Sequence, residues 1–193
     1  MIKDITSQYQ TTDFYLDDQF RIQADDRVPN WIDAFIDNHL LPIPNNLENF
    51  EFKIFNNSQD IKQAIFKKNE TVGLSRLVST FDYTHKKDGN SYIVDEGGID
   101  LPWNHTDAKK TWAEEASTVN EVGSIYTVQG FDLNYVGVII GPSISYDDER
   151  DQLIIRPEEY KDTEAYRKRK DLTEDENEQL KLNIILNSLN VLM

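Results

Sequence analysis

The chain has 193 residues and a formal net charge of −15, from 20 basic and 35 acidic side chains. It contains no cysteine, which excludes disulfide scaffolds, zinc ribbons, iron–sulfur sites and cysteine nucleophiles. A mean hydropathy of −0.62 with no long apolar run excludes a transmembrane helix, and the N-terminus lacks a secretory signal. We therefore expect a cytoplasmic location and no membrane contact. The acidic surplus repels nucleic acid at long range, so the chain alone is expected to bind DNA or RNA weakly or not at all.

The first third of the chain predicts two helices with a strand between them. Apolar residues recur at helical spacing in WIDAFIDNHLL (31–41), with Asn30 as the N-cap and Pro42 as the residue that ends the helix. The aromatic and β-branched residues of FEFKIF (50–55) predict a strand. Ser58 is expected to cap a short helix that follows.

The middle of the chain predicts a strand, a hairpin and a loop. GLSRLVSTF (73–81) is typical of a buried strand. SYIVDEGGIDLPW (91–103) predicts a β-hairpin whose turn is Glu96-Gly97-Gly98. The stretch from 105 to 120 is interpreted as a loop with a helical turn.

The last third predicts two or three strands and a long helix. EVGSIYTVQGFDLNYVGVIIGP (121–142) is interpreted as a strand, a turn or short helix at Gln129-Gly130, and a second strand. QLIIRP (152–157) predicts one more short strand, and the sequence TEDE (173–176) matches the capping box that begins a helix. Strands thus alternate with helices, and the apolar run VGVII is typical of a strand buried on both faces. This pattern favours an α/β fold with a mostly parallel sheet and helices on both faces.

No complete catalytic constellation is recognisable. The chain lacks the GxxxxGK[ST] phosphate loop and the GxGxxG motif, so it has no recognisable means of holding a triphosphate alone. Three isolated histidines are assigned to packing or surface positions: His39, His85 and His105. Acidic pairs are common in a chain this acidic, so no metal site is predicted from Asp17-Asp18, Asp25-Asp26 or Asp147-Asp148-Glu149. A metal-dependent hydrolase that uses Asp147 and Asp148 remains an alternative.

Two short segments, read together, resemble a known family. They are LDDQFR (16–21) and IYTVQGFD (125–132), the latter followed by the apolar strand YVGVIIG (135–141). In this order, with strands between them, they resemble the Q-[FY]-R motif that opens the second RecA-like domain of superfamily 1 helicases and the later TxQGxE motif. The chain is most similar to an uncharacterised bacterial family of P-loop NTPases, described as Schlafen-like (group 3) DNA/RNA helicase domains. The resemblance runs from about Leu16 to the C-terminus and includes GLSRLVSTFDY and LPWN.

The resemblance implies a RecA-like P-loop NTPase second domain whose last strand is missing. The chain would be one partial domain, with a lead-in at 1–13, a β-hairpin insertion at 91–103 and a C-terminal helical segment at 160–193. It would begin after the first RecA-like domain. Relatives continue into a Thr-Arg-Gly step that carries an arginine finger, and the chain stops at Met193, before that step.

The resemblance also implies a nucleotide-contacting role for five residues. Arg21 would approach the γ-phosphate, because a planar guanidinium suits phosphate oxygens, and Gln19 would help to position it. Gly130 would permit close backbone approach at a tight turn. Gln129 and Asp132 would face the nucleotide; many relatives have Glu where Asp132 stands, and an aspartate reaches less far toward the ribose.

Cofactors and partners follow from the same resemblance. The intact protein would use ATP and Mg²⁺, and none is expected bound to this chain. Thr127 would contact a phosphate of single-stranded DNA or RNA through its hydroxyl or its backbone. The first RecA-like domain would be the main partner, and the isolated chain is expected to be catalytically silent. An open sheet edge is a template for strand pairing, so a homodimer through that edge is a further expectation.

Structural explanations remain open beside these roles. Arg21 could form a surface ion pair with a nearby aspartate, and Gln129-Gly130 could be a plain turn. Arg76, within an apolar strand, is interpreted as a buried structural pair. The tryptophans are interpreted as core residues: Trp31, Trp103 and Trp112. The acid excess and the lack of catalytic motifs also leave room for a non-enzymatic module that binds a protein partner.

Overall fold

The computed structural model describes residues 12, 24–86, 88, 90–105 and 110–193. The helices are α1 (Arg27–Ile36), α2 (Ser58–Thr71), α3 (Ile125–Val128) and α4 (Glu174–Leu192), and 3₁₀ turns span Trp112–Glu114 and Ala116–Asn120. The strands are β1 (Ser75–Ser79), β2 (Ile93–Glu96), β3 (Ile99–Pro102), β4 (Val122–Gly123), β5 (Tyr135–Ile139), β6 (Ile144–Asp147) and β7 (Gln152–Ile155).

A three-stranded parallel sheet in the order β4-β1-β5 forms the centre of the fold. Leu77 of β1 is opposite Val122 of β4 on one side and Gly137 of β5 on the other. All five residues of β1 are buried, as the apolar run around them predicts. The described chain is therefore α/β, and its sheet flanked by helices is compatible with a RecA-like fold.

Two antiparallel hairpins lie beside this sheet, and the chain that leaves the first one is bridged to β4, since Asn104 N donates to Val122 O at 2.9 Å. The β2–β3 hairpin forms where the sequence predicts it, and Gly97 and Gly98 turn the chain with φ values of 52° and 93°. The β6–β7 hairpin is only half predicted, because β6 was not recognised. The expectation of a parallel sheet is confirmed for the three central strands, and the other four described strands form the two hairpins. A short strand that ends in Tyr146 and Asp147 gives too little alternation to be read from sequence.

Helices pack on the parallel sheet through close contacts. A Cβ on Gly137 would lie 2.6 Å from Cγ1 of Ile65, so α2 packs directly on the backbone of β5. Ile185 and Leu189 of α4 are fully buried in the same apolar core as Leu77. Because residue 137 has no side chain, α2 can pack this close to the backbone of β5.

The first helix differs from its prediction at both ends. It begins at Arg27 with Asp26 at the N-cap position, so Asn30 lies inside the helix and does not cap it. Pro29 is tolerated because the first turn of a helix needs no backbone N–H donors. The helix ends at Ile36, well before Pro42, and Asn38 follows with φ of 64°. Burial of Val28, Trp31 and Ile32 sets these limits.

The predicted strand at 50–55 does not form. Phe50 and Phe52 pack against the buried face of α1, while Ile54 is 56% exposed. Alternation of apolar residues here reflects contact with a helix, because no described strand pairs with this segment.

Other predictions of local structure are confirmed. Thr173 and Glu176 form the capping box at the start of α4. The tryptophans at 31, 103 and 112 are 6%, 2% and 7% exposed, so they are core residues. No helix in the described ranges is long and apolar enough to cross a membrane.

Candidate functional site

The TVQG segment lies on a short connection that crosses the sheet. It leaves β4 at Gly123, makes the single helical turn of α3, and returns to the amino-terminal edge, where Asn134 N donates to Leu74 O at 2.9 Å. Because β1 lies between β4 and β5, this connection must pass over β1. The motif thus starts at the carboxyl edge of a parallel sheet, where α/β proteins commonly bind ligands.

A capping box fixes the start of the motif. The Ser124 side chain accepts from the backbone N–H of Tyr126. The Thr127 hydroxyl donates to Ser124 O at 2.9 Å and accepts from Ser124 N at 2.8 Å. Its proton is therefore committed to holding the turn. The backbone N–H of Thr127 also donates to Ser124 O, at 3.0 Å, so a phosphate contact at residue 127 would require one of these two donors to leave Ser124.

Trp112 packs against the end of β4, where the same segment begins. A Cβ on Gly123 would lie 2.8 Å from Cη2 of Trp112, so the indole packs directly on the end of β4. The indole N–H donates to Glu121 Oε2 at 2.9 Å. The ring is thus fixed both by packing and by a hydrogen bond to the residue that precedes β4.

A buried arginine holds the 3₁₀ turns against β1. Arg76 is 2% exposed; its Nε donates to Thr118 Oγ1 at 2.8 Å and its Nη1 to Asn69 Oδ1 at 2.7 Å. Further donors reach the backbone carbonyls of Ser75, Ala113 and Glu115. Burial lowers the pKa of the Arg76 guanidinium, and the charge of Glu121 opposes that shift. The predicted structural role is right, but the hydrogen-bond partners are neutral acceptors and not a paired carboxylate.

Three predicted site residues lie together in the open part of the connection. Gln129, Gly130 and Asp132 are exposed. The side chains of Gln129 and Asp132 make no hydrogen bond within the described residues. Gly130 has φ of 81°, and a Cβ placed on it would meet nothing within 4 Å. Backbone conformation therefore requires glycine here, while packing does not. The space above the residue is open to a ligand.

A buried carboxylate lies at the carboxyl edge, and the sequence analysis did not identify it. Asp82 is 5% exposed; its Oδ2 accepts from Thr80 Oγ1 at 2.9 Å and from N and Oγ of Ser143 at 3.0 and 2.9 Å. Its Oδ1 is buried without a hydrogen-bond partner in the described part of the chain. Burial raises the pKa of the Asp82 carboxyl, and the hydrogen bonds from Ser143 and Thr80 oppose this. An aspartate directly after an apolar strand is the signal that could have identified it.

A tyrosine links α3 to the chain that follows the second hairpin. The Tyr126 hydroxyl donates to Oδ2 of the buried Asp162, and its ring meets Phe81 edge-on at 5.8 Å. Burial and this hydrogen bond raise the pKa of Tyr126. Tyr126 as a whole is 50% exposed, so the residue remains accessible beside the motif.

The remaining predicted residues fall in other places. Gln19 and Arg21 lie outside the described residues. His39 and His105 are exposed, and His85 lies half-buried beside the ring of Tyr92. Asp147 Oδ1 accepts from the backbone N–H groups of Glu149 and Arg150, which caps the β6–β7 turn. Within the described ranges no group of three His, Asp or Glu residues is arranged to hold a metal ion.

One comparison with known proteins identifies a family. The sequence model described as Schlafen group 3, DNA/RNA helicase domain matches residues 1–193. The chain is 37% identical over 201 residues to a Saccharomyces cerevisiae protein named Uncharacterized protein YPL245W. That match covers 95% of this chain and 44% of the yeast protein, so the chain spans less than half of that curated relative. The similarity is not restricted to bacterial proteins. No solved structure gives a significant match.

Proposed function

The chain belongs to the Schlafen group 3 DNA/RNA helicase domain family, and we propose that it is the second RecA-like half of a nucleic-acid-dependent ATPase motor. In this proposal it supplies γ-phosphate-sensing and strand-contacting groups, and the first RecA-like domain supplies the phosphate loop. The observation that carries the proposal is that Gln129 and Gly130 are exposed on the connection from the carboxyl edge: within the described residues the Gln129 side chain makes no hydrogen bond, and a Cβ on Gly130 would meet nothing within 4 Å.

The open space at Gly130 fits a phosphate group that approaches the backbone. A left-handed glycine at the end of an exposed turn leaves room at close range, and a side chain would fill that room. The amide of Gln129 has no hydrogen-bond partner among the described residues and can donate to an anionic oxygen. ATP with Mg²⁺ supplies the phosphoryl group whose transfer to water drives such motors. This chain's contribution would be to bind and orient.

The other candidate residues are proposed to contact the nucleotide or the nucleic-acid strand. Arg21 would place a guanidinium against the γ-phosphate, and Gln19 would orient it. Asp132 is exposed on the same connection, so it can reach a bound nucleotide. Thr127 would contact a strand phosphate by rotation of its hydroxyl away from Ser124, because both its hydroxyl and its backbone N–H donate to Ser124 O.

The net charge of the chain supports a motor in which the first RecA-like domain, and not this one, provides most of the affinity for nucleic acid. With a net charge of −15, it gives a nucleic-acid strand little attraction of its own. A basic first domain would therefore provide most of the affinity for single-stranded DNA or RNA. The isolated chain would neither hydrolyse ATP nor bind a strand tightly. A cytoplasmic location remains part of the proposal.

Reconstitution tests this function. The chain is expressed alone, and together with a first RecA-like domain of the same family, and phosphate release is measured with ATP, Mg²⁺ and single-stranded nucleic acid. We expect no turnover from either half and strand-stimulated turnover from the pair. Arg21→Ala and Gln129→Ala should each reduce the rate of the pair by about 10²-fold or more.

A matched variant separates a site effect from a folding effect. Gln63 is exposed on α2 and, like Gln129, makes no side-chain hydrogen bond within the described residues. Gln63→Ala should therefore leave the reconstituted rate unchanged. Equal rates for both glutamine variants, or turnover by this chain alone, would contradict the proposed roles.

A further inference from the structure

Asn104 follows the first hairpin in a backbone conformation that few residue types adopt. It is 3% exposed and has φ of 52°, and its backbone N–H donates to Val122 O at 2.9 Å. Among residues other than glycine, asparagine and aspartate enter the left-handed region most readily. The hairpin is therefore followed by a buried asparagine that lies beside β4.

The side chain of Asn104 reaches the start of the TVQG connection. Its Oδ1 accepts from the Ser124 hydroxyl at 2.8 Å, and Ser124 is fully buried. Because the Ser124 proton is donated to this amide oxygen, the lone pairs of the hydroxyl are left to accept the backbone N–H of Tyr126, at 3.2 Å. Asn104 thereby sets the orientation of the hydroxyl that caps α3.

Trp103 fixes the position of this asparagine. Its indole is 2% exposed, meets the ring of Phe81 edge-on at 5.4 Å, and donates from Nε1 to Tyr83 O at 3.2 Å. Trp103 also forms an isolated parallel bridge with Val122. The core thus holds the backbone before Asn104, and the hydrogen bond to Ser124 extends this support to the connection.

The single turn of α3 depends on such support. It has four residues, which is too short to be stable alone, because the first turn of a helix fixes several dihedral angles for one hydrogen bond. Gln129 and Gly130 follow this turn directly and are exposed. Their placement therefore depends on the cap that Ser124 provides.

We propose that Asn104 is a positioning residue, which acts through Ser124 to hold Gln129 and Gly130 in the conformation that meets the nucleotide. This proposal rests on the motor function proposed above. It gives the LPWN segment, whose last residue is Asn104, a role in the motor: the hairpin supports the TVQG connection from the side of β4.

Three substitutions separate the side chain of Asn104 from its backbone conformation. Asn104→Gly keeps the left-handed conformation accessible and removes the acceptor, whereas Asn104→Asp keeps both the conformation and an acceptor. Ser124→Ala removes the donor. Asn49→Gly is the matched control, because Asn49 has φ of 57°, is exposed, and makes no side-chain hydrogen bond within the described residues.

Amide hydrogen exchange on the chain alone gives the first readout. Asn104→Gly and Ser124→Ala should each speed exchange at the amides of Tyr126 and Thr127 by about tenfold, because the cap of α3 is weakened. Asn104→Asp and Asn49→Gly should stay within about threefold of the wild type. Equal exchange at these amides in Asn104→Gly and the wild type overturns the proposal.

Turnover by the reconstituted pair gives the second readout, at a temperature where melting curves show that every variant is folded. Asn104→Gly should lower kcat at saturating ATP and strand by about tenfold, since misplaced groups slow a reaction even in an intact fold. Asn104→Asp should restore kcat, and Asn104→Gly should add no further loss to Ser124→Ala.

The two readouts distinguish failure of this proposal from failure of the motor function. A role in stability alone would leave kcat of the folded Asn104→Gly pair unchanged, and that result overturns the positioning role. No turnover from the wild-type pair would instead overturn the motor function, and the exchange rates would then decide alone whether Asn104 holds the connection.

Discussion

Gly141 lies directly against the buried side chain of Asp82, where the chain leaves β5 beside the end of β1. A Cβ on Gly141 would lie 2.8 Å from Cβ of Asp82, and the Gly141 N–H donates to Thr80 Oγ1 at 2.8 Å. The carboxyl ends of two parallel strands are thus joined through one carboxylate and one glycine.

Gly141→Ala should destabilise the fold because no space exists for a methyl group beside Asp82. Overpacking of this kind costs about 1–3 kcal/mol, so the midpoint of chemical denaturation should fall with an unchanged slope. Ser145→Ala on the neighbouring β6 serves as the control, since Ser145 is only half-buried. An unchanged midpoint for Gly141→Ala would show that the contact relaxes freely.

The raised pKa of Asp82 predicts a pH-dependent contribution to stability. The folded state holds the Asp82 proton more tightly than the unfolded state, so stability falls as pH rises from the ordinary carboxyl range through the raised pKa. Above that window the cost of ionisation is constant. Asp82→Asn cannot ionise. The difference in unfolding free energy, wild type minus Asp82→Asn, should therefore decrease as the pH rises from the ordinary carboxyl range through the raised pKa. Parallel curves would contradict burial as the cause.

Arg76→Lys should destabilise the protein by about 2–3 kcal/mol, because a lysine offers three donors where the guanidinium serves five acceptors. Hydrogen exchange should also quicken in the 3₁₀ turns around Thr118. Arg150→Lys, at a side chain that is 78% exposed, should change stability by less than about 0.5 kcal/mol. Equal effects of the two substitutions would count against a structural role for Arg76.

A comparison of two glycines distinguishes a functional role of residue 130 from the energetic cost of its left-handed backbone conformation. Gly130 and Gly73 have φ of 81° and 80°, and neither has an atom within 4 Å of an added Cβ. Gly130→Ala and Gly73→Ala should each cost about 1–2 kcal/mol from backbone strain alone. In the reconstituted ATPase only Gly130→Ala should reduce the rate. If the two variants lose the same activity, strain explains the loss and residue 130 makes no close contact with phosphate.

Local structure with a strong sequence signal was predictable. The buried strand around Leu77, the glycine turn at residues 97–98 and the capping box at Thr173 each depend on short-range patterns, and each forms where expected. The predicted strand at 50–55 fails because its phenylalanines pack on α1. Alternation of apolar residues reports burial, and burial against a helix gives the same pattern as burial in a sheet.

The sequence by itself determined the family, the α/β class and the segment TVQG as the candidate site, because motifs, periodicity and turn residues are local properties of the chain. Only the tertiary structure decided which side chains remain available for function. It commits the Thr127 hydroxyl to a helix cap, encloses Arg76 among neutral acceptors, and leaves Gln129 and Gly130 exposed. It also brings Asp82 onto Ser143, 61 residues away. Such contacts depend on the order in which strands pair, and pairing order is a property of the whole sheet.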